Sequence, residues 1–206
     1  MTADYRHYIP ENSTRTREDI EWSIHYSYDT NAIGKPRVFL IGDSICNGYQ
    51  DFVRRRLAGE CCVSFWASSK CVTDRFYLRE LDFYLDYSKY DVITFNNGLH
   101  SLVTDTNEWE IAYRNAVKFI LAKVPESKLY LTLSTPLCDP ALTEISAKLN
   151  DIVRRIAEEF SLPVIDLFSP MDALDRGTNW CDCFHFNDPA KDKQSEIIAS
   201  AVRDAI

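Results

Sequence analysis

The sequence has no basic block longer than Arg54-Arg55-Arg56, and no apolar stretch near the roughly 20 residues that a membrane-spanning helix needs. Its formal charge is −8 and its pI lies near 5. A surface of that sign repels phosphate backbones, so nucleic acid is not an expected partner. The arginine triplet falls in a helical pattern and reads as a solvated face. Glycine is scarce, with six in 206 residues, and no phosphate-cradling glycine loop follows a strand. That counts against a flavodoxin-like nucleotide binder. The seven cysteines are an odd number without the regular spacing of a secreted disulfide framework. The opening stretch MTADYRHYIPENSTRT lacks a basic segment followed by an apolar one, so no signal peptide is expected. These absences predict a cytoplasmic protein with its cysteines serving as small core residues. A secreted or periplasmic chain already relieved of its leader would read the same way.

What is present is ordinary globular material, 46% hydrophobic and 26% charged, long enough to bury a core without staples. One domain over residues 1–206 is expected, with 1–35 a polar, aromatic N-terminal arm. Pro10, Asn12 and Ser13 predict a loop there, and REDIEWSIHYSYD a short helix or an extended arm. From residue 38 onward, short apolar runs alternate with helical patterns. VFLIG, CCVSFWA, DVITF, KLYLTLSTP and LPVIDLF read as five strands. ICNGYQDFVRRRLAG, RFYLRELDFYLDY, TNEWEIAYRNAVKFILAKV, PALTEISAKLNDIVRRIAEEF and DKQSEIIASAVRDAI read as helices. Continuously apolar strands joined by helices imply a mostly parallel sheet covered on both faces. The expected fold is therefore a three-layer α/β/α, doubly wound, with a five-stranded sheet. Ligands on such folds bind beyond the carboxyl ends of the strands.

Three stretches at those ends carry the polar residues. Ser44, in IGDSICNGY, falls at the first strand-to-helix junction. There it serves either as part of a helix cap or as a nucleophile beside free backbone N–H groups. A serine nucleophile needs a base, and the chain has four histidines. His7 and His25 lie in the arm and are expected on the surface. His185, in WCDCFHFND, follows the fifth strand, with Asp182 three residues before it. That spacing lets the carboxylate hold one ring nitrogen and leaves the other free to face Ser44. Cys181-x-Cys183 with His185 has no second ligand pair, so no metal is expected. Cys46 reads as core rather than as a reactive thiol. The third stretch is FNNGLHS (95–101), which ends an apolar strand on two asparagines and a histidine.

GDS after the first strand and D-x-x-H before the last helix together resemble the SGNH/GDSL hydrolase family, over roughly residues 37–206. The resemblance implies a serine esterase without metal or organic cofactor, with Ser44, His185 and Asp182 as its triad. It also implies an oxyanion hole of backbone and side-chain donors, and here the chain departs from the family pattern. The family's glycine after the second strand is missing from FWASSKCVTD, where Ser69 is the positional substitute. In the family's G-x-N-D block, Gly98 matches, while His100 and Ser101 replace the asparagine and aspartate. The expected hole is therefore the N–H groups of Ser44 and Ser69 with the side chain of His100, or with Asn96 or Asn97, the latter preferred, if His100 is only a packed loop residue. The resemblance does not set the substrate; the acidic surface and the polar, aromatic-rich arm fit a small-molecule or carbohydrate ester, acetyl before longer acyl groups, with a short-chain acyl ester or a lysophospholipid second. A glycan- or partner-binding module with impaired catalysis is the reading from another class. The sequence does not set the oligomeric state.

Overall fold

The alternating strand and helix patterns fold, in a computed structural model describing residues 3–11, 13 and 17–206, into one sheet between two helical layers. The strands are β1 (Ser23–Ser27), β2 (Arg37–Gly42), β3 (Cys62–Ser68), β4 (Val92–Phe95), β5 (Lys128–Thr132) and β6 (Val164–Ile165). The helices are α1 (Ser44–Arg56), α2 (Tyr77–Leu85), α3 (Thr106–Lys123), α4 (Pro140–Phe160), α5 (Phe168–Asp172), α6 (Arg176–Asn179) and α7 (Asp188–Ala205). The sheet order is β1-β3-β2-β4-β5-β6, parallel except for β1, which runs antiparallel to β3.

Side-chain alternation along the strands builds both cores. Val38 and Leu40 of β2 pack with Val53 of α1 and Ile198 and Val202 of α7. Phe39 and Ile41 point the other way, against Leu81 of α2, Tyr113 and Val117 of α3, and Ile156 of α4. Burial on both faces is what made these strands read as continuous apolar runs.

Among the described residues the sheet has six strands where five were expected. The sixth is β1, taken from the supposed arm: Ser23–Ser27 pairs along β3 from Ser68 to Ser64, and Ser23 Oγ accepts from Trp66 Nε1 at 2.8 Å. All seven residues of β3 are buried, and β1 covers what would otherwise be an open sheet edge. His25 is accordingly not a plain surface residue. Its ring stacks on Tyr84 at 4.6 Å and meets Phe39 and Tyr87 edge-on, and burial lowers its pKa. His7 is exposed, as its position suggested, and Asn12 lies outside the described residues. The expected fifth strand, LPVIDLF, shortens to Val164–Ile165, because the Asp166 carboxylate accepts from the N–H groups of Phe168 and Ser169 and turns the chain into α5. Among the described residues, no helix is long and apolar enough to cross a membrane.

Strand order reverses around β2: the chain passes from β2 to β3 on one side and returns to β4 on the other. In doubly wound sheets this reversal opens a crevice at the carboxyl ends of the strands. Ser44, at the end of β2, stands at it.

Candidate active site

Gly42, Asp43 and Ser44 each have a separate physical task at the β2–α1 junction. A Cβ on Gly42 would lie 2.6 Å from the Cβ of Cys46, so only glycine lets the helix start this close to its strand. Asp43 is the N-cap. Its Oδ1 accepts from Ile45 N at 2.9 Å, and its Oδ2 accepts from Leu99 N at 3.3 Å, tying the ends of β2 and β4 together. That leaves Ser44 as the first helical residue, half-buried, with a backbone N–H that has no acceptor within the helix.

His185 reaches this serine from the segment between α6 and α7. That segment is held by an antiparallel bridge between Trp180 and Phe186 and by Cys181 N donating to His185 O at 2.7 Å. Asn187 caps α7 by accepting from Ala190 N. His185 Nε2 lies 2.8 Å from Ser44 Oγ, and His185 Nδ1 lies 2.8 Å from Asp182 Oδ2. Asp182 Oδ1 accepts two backbone N–H groups, those of Phe184 and His185, at 2.7 Å each. Partial burial on its own would raise the Asp182 pKa. The hydrogen bond from His185 and the two backbone donors outweigh it and hold the carboxyl at about 2. A charged carboxylate on Nδ1 fixes the proton there and leaves the Nε2 lone pair facing the serine hydroxyl. Serine, histidine and aspartate thus form one continuous hydrogen-bonded chain.

The residues expected in the oxyanion hole part company. Ser44 keeps its N–H free of the helix. Ser69 does not fit: its N–H donates to the Trp22 carbonyl at 3.1 Å, and its hydroxyl serves Glu21 Oε2 and Trp22 N. The arm that forms β1 has taken up the donor that position 69 was expected to offer. Asn97 does not fit either. Its Oδ1 accepts from Val72 N and its Nδ2 donates to Lys70 O, both at 2.9 Å, so the buried amide pins the β3–α2 loop. Asn96 likewise donates to Thr132 O and Ser134 Oγ. The two asparagines that end β4 are stitches between neighbouring strand ends.

His100 differs. It sits in a single turn of 3-10 helix (Leu99–Ser101) and lines the same open cleft of about 440 Å³ as Ser44 and His185. Its Nδ1 lies 2.5 Å from Glu18 Oε1, and its Nε2 is buried with no partner among the described residues. The cleft's other walls are Trp22, Leu99, Leu102, Val103 and Phe184. Glu18 and Trp22 come from the arm and carried no sequence signal, since nothing in REDIEW marks them as facing a site.

The remaining candidates resolve simply. Cys46 is buried, and burial pushes its thiol up to about 12, the state of a packed rather than a reactive cysteine. His185, the ring that might have joined Cys181 and Cys183 at a metal, is engaged with Ser44 and Asp182. Among the described residues no three His, Cys, Asp or Glu side chains gather as a metal site.

This fold recurs in solved structures. An acetyl xylan esterase, AlAXEase, superposes with a TM-score of 0.68 at 20% identity, covering 81% of this chain and 99% of that one. A GDSL-like lipase from Bacteroides thetaiotaomicron VPI-5482 gives 0.64 at 17% identity, covering 82% and 89%. An acetylxylan esterase from Geobacillus stearothermophilus gives 0.61 at 16% identity, covering 84% and 95%. No protein-family model matches the chain, and no curated protein matches it. The chain has the SGNH/GDSL hydrolase fold.

Proposed function

We propose that the protein is a serine esterase in which Ser44 attacks an acyl carbonyl, His185 takes its proton, and Asp182 holds the ring. The observation that carries this reading is the unbroken chain Ser44 Oγ–His185 Nε2 and His185 Nδ1–Asp182 Oδ2, with both links at 2.8 Å. In the first half-reaction the hydroxyl oxygen adds to the carbonyl carbon while its proton passes to Nε2. The imidazolium, balanced by Asp182, then protonates the departing alcohol. In the second half-reaction water adds to the acyl-serine by the same route and releases the acid. The Ser44 N–H faces the developing oxyanion, and a donor of this kind is worth about 3 kcal/mol of barrier.

For the substrate, a small acyl ester, acetyl on a carbohydrate, is the leading reading, supported by the acetyl xylan esterases among the structural neighbours. The cleft favours a second reading, a short-chain acyl ester, because Trp22, Leu99, Leu102, Val103 and Phe184 give it largely apolar walls. Fluorophosphonate labelling followed by an ester panel tests both. Stoichiometric labelling is expected in the wild type and none in Ser44→Ala. Acetylated xylo-oligomers should exceed aryl esters of rising chain length, and the reverse order would favour the apolar reading. Hydrolysis that survives Ser44→Ala would refute the esterase. An unlabelled, inactive wild type would favour a binding module on this fold.

A further inference from the structure

Ser44 and His185 occupy one part of the cleft, and the N-terminal arm supplies another. Glu18 and Trp22 line the same space of about 440 Å³. An acetyl group fills a small fraction of such a volume, so for an acetyl ester most of the wall meets the alcohol. That alcohol extends several bonds from the reacting carbonyl. Groups that recognise it need to share the cleft with Ser44, not to touch its hydroxyl.

Glu18 and Trp22 are fixed before any ligand arrives. Glu21 Oε1 accepts from Glu18 N at 3.1 Å while Glu21 Oε2 accepts from Ser69 Oγ at 2.7 Å. Trp22 N donates to Ser69 Oγ, Trp22 O accepts from Ser69 N, and the indole stands edge-on to the His100 ring with centroids 6.0 Å apart. Glu18 Oε1 lies 2.5 Å from Nδ1 of that ring. Groups held in place this way lose little conformational freedom on binding.

Each residue still has one polar atom to spare. Glu18 Oε2 has no partner among the described residues, and its side chain is 46% exposed. The indole N–H of half-buried Trp22 has no acceptor among the described residues and is not sealed from solvent. One free acceptor and one free donor match a ring that bears hydroxyls, since a hydroxyl can donate to the carboxylate and another can accept from the indole. Val103 and Phe184, both exposed, offer apolar surface in the same cleft for the C–H faces of that ring. A bare alkyl alcohol would instead desolvate the carboxylate without replacing its hydrogen bonds to water.

We propose that Glu18 and Trp22 are specificity-determining residues that receive the alcohol of the ester, and that this alcohol is a hydroxylated ring, as in a sugar. The arm is then part of the substrate site. This rests on the serine-esterase reading, and the test keeps the two apart.

Acetylated xylobiose and cyclohexyl acetate carry the same acyl group on a hydroxylated and a bare ring. Glu18→Gln keeps an amide oxygen for His100 Nδ1 but turns the free acceptor into a donor; Trp22→Phe keeps an aromatic ring and removes the N–H. Each should lower the ratio of kcat/KM for acetylated xylobiose over cyclohexyl acetate by roughly fivefold or more. An unchanged ratio, with both esters losing equally, would show that the arm only supports the cleft and would overturn the proposal. Acetylcholine hydrolysed faster than acetylated xylobiose would assign the carboxylate to a cation and overturn it as well. Titration with xylotriose reads the subsite without turnover: the Trp22 indole ¹H–¹⁵N signal should shift with xylotriose and not with cyclohexanol. A signal indifferent to xylotriose would overturn the proposal even in a preparation with no esterase activity. Hydrolysis that survives Ser44→Ala would remove the esterase reading alone, leaving the titration to judge the subsite.

Discussion

Gly98→Ala isolates the geometry that holds the site together. The backbone φ of Gly98 is −132°, a value any residue adopts, so the substitution introduces a clash without backbone strain. The new Cβ would stand 1.8 Å from Ser134 Oγ and 2.9 Å from Ser134 Cβ, where carbon contacts settle near about 3.5–4.0 Å. Swinging the hydroxyl away would relieve the first contact but forfeit its bond with Asn96 Nδ2. The second contact would remain, because Asn150 grips Ser134 by both its N–H (2.8 Å) and its carbonyl (2.9 Å). Relief must come from the 97–99 backbone. Overpacking of this kind costs about 1–3 kcal/mol, and the lost hydrogen bond about 1 more. At about 2–4 °C per kcal/mol for a chain of this size, the melting temperature should fall by roughly 5–15 °C. Leu99 N, bonded to Asp43 Oδ2, follows immediately, so the shift reaches the residue before Ser44. A displacement near 1 Å there should cost on the order of 100-fold in turnover. Urea and thermal unfolding with an ester assay supply the readouts, and Ser134→Gly supplies the control. By removing both clashing atoms it should recover at least about 1 kcal/mol in the double mutant relative to additivity. A Gly98→Ala protein as stable and active as the wild type, or a double mutant that is simply additive, would refute the close-approach argument.

Three further outcomes follow from the same geometry. Asp182→Asn keeps an oxygen for the two backbone donors but removes the charge on His185, and should lower kcat about 10⁴-fold; a loss under tenfold would deny Asp182 its role. The Asp182 carboxyl is held at about 2 against 3.8 for an ordinary aspartate, so its charge stabilises the folded state fully above 3.8, and that contribution is lost as pH falls through about 2. The stability gap between wild type and Asp182→Asn should narrow across that window, as read by chemical unfolding; a gap independent of pH would contradict the assignment. Under native conditions a maleimide should modify the exposed Cys181 and Cys183 before the buried Cys46, and mass spectrometry showing Cys46 equally fast would overturn its reading as core.

The parallel strands and the long helices were legible because each is governed by its own local pattern. Pro140–Phe160 carries a helical stripe behind an aspartate cap, and its ends in the structure match those read from the sequence. VITF reads as a strand because both of its faces are covered. Strand β1 was not legible for the converse reason. SIHYS is short and polar, and what makes it a strand is the open edge of β3, far away in sequence. His25 shares the error: its aromatic cage assembles from β2 and α2 only after β1 has paired.

The candidate site divides along the same line. The juxtaposition of Ser44, Asp182 and His185 was legible because each stands inside a short motif whose neighbours do visible work. Gly42 permits the close approach, Asp43 caps the helix, and a three-residue step brings Asp182 onto the His185 ring. FNNGLHS reads differently once tertiary partners are known. Its asparagines look like site residues because polar atoms at a strand end need a reason, but their reason is the carbonyls of Lys70 and Thr132. Ser69 failed as a donor because a backbone N–H is available only if no other carbonyl has claimed it, and Trp22 arrives from a segment with no apparent claim on the site. The same segment that removes one donor brings Glu18 to His100. The engagement of Ser69 N–H by the Trp22 carbonyl and the arrival of the Glu18 carboxylate on His100 are thus two consequences of one event, the pairing of the arm along β3. A variant that unpairs β1 should therefore disturb both sides of the serine at once.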